Sequence, residues 1–113
     1  TTTQAVAIDY AKEVQTFFSS NAYTKTYHPI PTAEHITDWT REINQRGLAG
    51  AREYFPIAVK TYACSADPDR FYLANNIDVK QYFDAHPTEN INNTGAKKHW
   101  DSSGKNENRV SCW

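Results

Sequence analysis

Methionine is absent from this chain, no apolar run approaches the length of a membrane span, and neither sign of charge dominates. Each absence narrows the field. Without a long apolar run there is no membrane span and no signal peptide to read, which fits a mature form that has lost its signal. Twelve Lys and Arg against thirteen Asp and Glu give a formal net charge of −1. That balance argues against a protein that holds nucleic acid through a broad basic face, so any such contact must be local. Cysteine is scarce too, with only Cys64 and Cys112, and these lack CxxC or metal-ligand spacing. A single disulfide is the expectation, not a zinc site, and secretion is expected with it. No internal repeat occurs, and neither a metal nor a cofactor is expected.

What the chain does hold is aromatic bulk. Seven Tyr, five Phe and three Trp suit a β-rich fold in which large rings cover a sheet. At 113 residues one domain, residues 1–113, with a single core and no sign of oligomerisation is expected, hence a monomer. Thr1 and Gln4 have the spacing of a capping box, and Ala7, Tyr10, Ala11, Val14, Phe17 and Phe18 recur at three and four, which predicts a helix over residues 4–19. From Tyr23 to Ile30, Tyr and Thr alternate and Pro29 and Pro31 forbid helix continuation, an extended pattern. Thr32 to Arg46 has two readings: a helix ending at Gly47 with Ile36, Trp39 and Ile43 on one face, or a short strand at His35–Trp39 that pairs with the preceding one. The strand is slightly preferred for that pairing.

Glu53 to Lys60 is a strand candidate, with Pro56 marking an edge or a bulge. The stretch from Asp69 to His86 reads as two strands joined by a tight turn near Asn76-Ile77, because Asn75, Asn76 and Asp78 tolerate the positive φ of a hairpin. Such a hairpin puts Arg70 and His86 side by side at its open ends. Thr88 to Asn108 reads as a long loop, and between Lys97 and Arg109 the cations Lys97, Lys98, Lys105 and Arg109 outnumber Asp101 and Glu107, with His99 and Trp100 in the middle. A solvated loop is the simpler account of that run. Asn92-Asn93-Thr94 is an acceptor sequon of consequence only in a eukaryotic secretory pathway. The expected fold is α+β: one N-terminal helix packed on a twisted antiparallel sheet, with long loops.

His28, Glu53, Arg70 and His86 would each stand at a strand end. RNA cleavage by transphosphorylation needs a base for the 2′-hydroxyl, a cation for the crowded phosphorane and an acid for the departing 5′-oxygen. A carboxylate and a histidine with pKa values pushed apart fill the base and acid roles without a metal.

The order of these residues resembles the small microbial ribonucleases: the fungal guanyl-preferring enzymes, their ribotoxin relatives and, more distantly, barnase. It rests on Glu53-Tyr54-Phe55-Pro56-Ile57 and on Asp69-Arg70-Phe71-Tyr72-Leu73 followed by His86. The resemblance implies a secreted endoribonuclease that acts on single-stranded RNA through a 2′,3′-cyclic phosphate, with ribosomal RNA as the target in a toxin-like variant. It implies Glu53 as general base, His28 as its partner or alternative base, Arg70 on the phosphate and His86 as general acid. It further implies Glu34 on the guanine edge and Tyr27 near the phosphate, and it makes Lys97, Lys98 and Trp100 docking residues. Two departures stand against it. Tyr27 lies one place out of phase, and Ile30 and Ala33 stand where the family has base-stacking rings. The alternative they motivate is a catalytically inactive, ribonuclease-like effector that binds host RNA or protein.

Overall fold

The computed structural model describes residues 7–113, and every regular element among them is a helix. The expected antiparallel sheet is therefore replaced by a helical fold, and the α+β expectation is corrected. The elements are α1 (Tyr10–Ser20), α2 (Ala22–Tyr27), α3 (Ala33–Ala66), α4 (Pro68–Asn75), α5 (Ile77–Ala85), the 3-10 segment η1 (Pro87–Asn93), α6 (Gly95–Ser102) and the short η2 (Gly104–Glu107). They divide into a first unit that ends at Phe55 and a second, Pro56–Trp113.

Among the described residues the first unit opens with α1. Thr1 and Gln4 lie outside the described residues, and Asp9 caps α1 by accepting the Lys12 N–H at 3.1 Å. Val14, Phe17 and Phe18 then form the buried stripe that their three-four spacing predicted. Asn21 closes α1 and starts α2, its side-chain oxygen taking the Tyr23 and Thr24 N–H groups at 3.0 and 3.3 Å. The alternating Tyr-Thr segment is thus a short helix and not a strand. It stops at His28, where Pro29 follows and disfavours helical geometry.

A reciprocal cap opens α3. The Thr32 N–H donates to His35 Nδ1 and the His35 N–H donates to Thr32 Oγ1, both at 3.1 Å, a capping box with an imidazole in place of the usual carboxylate. The helical reading of residues 32–46 is the one the molecule adopts, and it places Ile43 in the core. Phe55 gathers the rings of this unit, with centroids 5.5 Å from Phe17, 5.2 Å from Phe18 and 4.8 Å from Trp39.

α3 is broken at Gly47, whose φ of 76° and ψ of 164° belong to a region essentially reserved for glycine. Glu53 to Lys60, expected as a strand, continues the helix beyond that break, with an exposed Pro56 in its interior. Four consecutive residues, Phe71 to Ala74, are buried in the second half of α4, and Leu73 and Tyr72 join Val79, Phe83 and Ala96 in the core of the second unit. Trp100 and Trp113 pack against that cluster. Cys64 and Cys112 are bonded, with an S–S distance of 2.06 Å and Cα atoms 5.3 Å apart.

Two stability changes follow. Gly47→Ala is expected to destabilise by about 1–3 kcal/mol in urea unfolding, a torsional cost, because nothing lies within 4 Å of the added Cβ; an unchanged midpoint would mean the backbone there is relaxed. Closing the loop between Cys64 and Cys112, 48 residues apart, is worth about 4 kcal/mol in the chain-entropy model. The Cys64→Ala/Cys112→Ala variant should lose stability of that order, and equal stability of the two proteins would contradict it.

Candidate functional site

The second unit is organised by a buried carboxamide. Asn76, between α4 and α5, donates through Nδ2 to the Tyr72 carbonyl at 2.8 Å and to the Val110 carbonyl at 2.9 Å, and its Oδ1 accepts from Arg109 at 3.2 Å. Expected as a hairpin turn residue, it is 7% exposed and satisfied on both sides. Arg109 also clamps Asp78 with two parallel bonds of 2.8 and 2.7 Å and donates to Glu107 at 2.8 Å. This clamp holds the Asp78 carboxyl down at about 2 and pushes the guanidinium further up.

The expected basic loop is largely structured. Lys97 and Lys98 lie on α6, where Lys97 pairs with Asp101 at 2.6 Å and its ammonium stands 5.5 Å from the Trp113 ring centre. Trp100 is half-buried, its ring edge-on to Tyr72 at 6.1 Å. Tyr72 is fully buried, and its hydroxyl lies 2.7 Å from His99 Nδ1. Gly104 is required at that point, because a Cβ there would meet the Tyr72 hydroxyl. Burial raises the Tyr72 pKa. Lys98 and Lys105 are exposed.

Of the four residues assigned to catalysis, His28 and Glu53 belong to the first unit and Arg70 and His86 to the second. His28 is the C-cap of α2, its Nε2 3.3 Å from the Tyr23 hydroxyl, and Glu53 is exposed on α3. Arg70 stands in the first turns of α4, 3.8 Å from Asp67, beside Asp69, whose pKa is raised by burial and by Asp67. His86 caps α5. The adjacent strands that were to bring Arg70 and His86 together do not exist. Glu34 is exposed in the first turn of α3, and Tyr27 is half-buried with its ring 5.8 Å from Tyr23.

His86 nonetheless sits in an ordered surface cluster. Its ring stacks on Tyr82 with centroids 4.3 Å apart and planes at 22°. Nδ1 lies 2.8 Å from the Tyr82 carbonyl, which can only accept, so Nδ1 carries the proton and a neutral ring presents Nε2 as its basic atom. The Tyr82 hydroxyl donates to Glu89 at 2.7 Å, and that carboxylate raises the Tyr82 pKa. Sequence reading missed Tyr82 and Glu89. Four residues separate Tyr82 from His86, one helical turn, and that spacing was the available signal.

Comparison with known protein families, curated proteins and solved structures finds no match for this chain. No group of three or more His, Cys, Asp or Glu among the described residues is placed to hold a metal ion. No helix among them is long and apolar enough to cross a membrane.

The Asp78 clamp has a defined pH signature. A depressed folded-state pKa contributes stability that is present above the ordinary carboxyl value of 3.8 and is lost as pH falls through about 2. Asp78 is 67% exposed, so screening limits the contribution to the order of 1 kcal/mol. Asp78→Asn is expected to be less stable than the parent by about that much at neutral pH and to converge with it near pH 2. A gap that persists in acid would show that the clamp acts through something other than charge.

Proposed function

We propose that this chain is a non-catalytic binding protein of an oxidising, extracellular setting, and that its partner is a protein rather than RNA. One observation carries the reading: part of the segment that would dock RNA is engaged within the fold, with Lys98 and Lys105 left exposed. Arg109 is spent on Asp78 and Glu107, Lys97 on Asp101, and Trp100 on the Tyr72 core. Single-stranded RNA is held by cations tracking the backbone and rings open to stacking, and Arg109 and Trp100 are turned to internal use while Lys97 stays on the surface in an ion pair. The exposed apolar side chains Ile57, Tyr62, Ile77 and Val110 of the second unit supply material for contact with a protein surface. The Cys64–Cys112 bond supports the setting, since such bonds persist where thiols are not kept reduced.

A second reading, metal-independent endoribonuclease, keeps one specific support. His86 is exposed, and its tautomer leaves Nε2 available for proton transfer. One experiment separates the two. Purified protein is incubated in chelator with a defined single-stranded RNA and with intact ribosomes, beside a His86→Ala control, and the products are sized. The binding reading expects intact RNA in every lane. Cuts that vanish in the control would replace it with the ribonuclease, and a single discrete ribosomal fragment would point to the toxin-like variant.

A further inference from the structure

We propose that Asn92 is an acceptor site for an N-linked oligosaccharide, a modification that rests on the extracellular setting inferred above. The sequence requirement is a carboxamide followed two residues later by a hydroxyl with no intervening proline, and Asn92-Asn93-Thr94 meets it. Many such triplets are idle because a helix or the core encloses them. This one is open. Inside η1 the backbone leaves helical geometry at Asn90, Ile91 and Asn92 in succession, and Asn92 adopts φ 57° and ψ 29°, in the left-handed region that asparagine tolerates. The Asn92 side chain is exposed at this turn.

A second feature of the same turn points the same way. Ile91, immediately before the acceptor, is 61% exposed. An oligosaccharide on the next residue would cover that bare isoleucine with hydrated sugar. The Thr94 hydroxyl, which donates to the Ile91 carbonyl at 2.8 Å, lies at the protein surface as well, so both residues of the triplet with a chemical role are reachable.

The donor is an oligosaccharide carried on a lipid pyrophosphate. The Asn92 Nδ2 forms a bond to the anomeric carbon, the bond from that carbon to the pyrophosphate oxygen breaks, and the lipid pyrophosphate leaves with the electron pair. One carboxamide proton passes to the base of the transferase. No electrons are exchanged, so no oxidant or reductant is consumed.

The test directs the full chain, behind a cleavable leader, into the secretory pathway of a eukaryotic cell. Intact mass is measured on cell-associated and secreted protein alike, before and after an N-glycan-cleaving amidase, and free thiols are counted in the same samples by alkylation. The expected result is an added carbohydrate mass that the amidase removes. It should be absent from Asn92→Gln and Thr94→Ala and retained in Thr94→Ser. Unmodified polypeptide with Cys64 and Cys112 bonded would overturn the acceptor assignment and leave the extracellular setting standing. Glycan on a chain whose two thiols stay free would do the reverse, and an unmodified chain with free thiols would overturn both.

Discussion

The carboxamide of Asn76 is the joint on which the second unit depends. It occupies the one residue between α4 and α5, and with its two kinds of polar atom it holds the last turn of α4 and the returning C-terminal segment. Its own backbone carbonyl receives the Val79 and Lys80 N–H groups, so the start of α5 hangs from the same residue. Such a group is worth having inside only because every bond is made; a shorter or longer side chain would cost the Val110 carbonyl its Nδ2 donor and Arg109 one of its three acceptor residues. The disulfide secures the same segment from the other side, two residues beyond Val110. Trp113 can then reach Tyr72, with ring centres 5.6 Å apart.

The parts that sequence alone conveyed were those with an unambiguous period or an unambiguous chemistry. Val14, Phe17 and Phe18 had helical spacing and are buried on one face of α1, and two cysteines without metal spacing were read as a pair. The sheet failed for identifiable reasons. Threonine counts toward strand because its branched side chain crowds a helix, yet here Thr16, Thr26, Thr37 and Thr61 each return their hydroxyl to the carbonyl four residues back. A run such as Phe71 to Ala74 has no period at all, and a fully buried helix and a buried strand look alike over four residues. The overlooked signal was electrostatic. Glu42 with Arg46, Lys80 with Asp84 and Lys97 with Asp101 are opposite charges one turn apart, a pattern that costs nothing to find and has no meaning in a strand.

Order along a chain does not by itself establish arrangement in space. His28, Glu53, Arg70 and His86 follow one another as the resemblance requires, yet three of them sit at or near helix ends, where histidine and arginine have ordinary work as caps and ion-pair partners. Activity belongs to a constellation and not to a succession of residue types. Tyr72 and His99 make the complementary case. Nothing in their separation of 27 residues marks them as partners, and the shape of a buried core brings hydroxyl and imidazole together.

The position of the two cysteines also bears on the order in which the molecule can be built. Phe17, Phe18, Trp39 and Phe55 are all added to the chain before either cysteine, so the ring cluster of the first unit has these members early in synthesis. The second unit has no such advantage. Its joint at Asn76 awaits Arg109 and Val110, and Cys64 awaits Cys112, which makes those helices provisional until residues 109–112 have been added. A premature stop at any position from Lys105 to Arg109 would therefore strip the same unit of its clamp, its covalent tie and Trp113 at a single stroke, while leaving Phe17, Phe18, Trp39 and Phe55 in place.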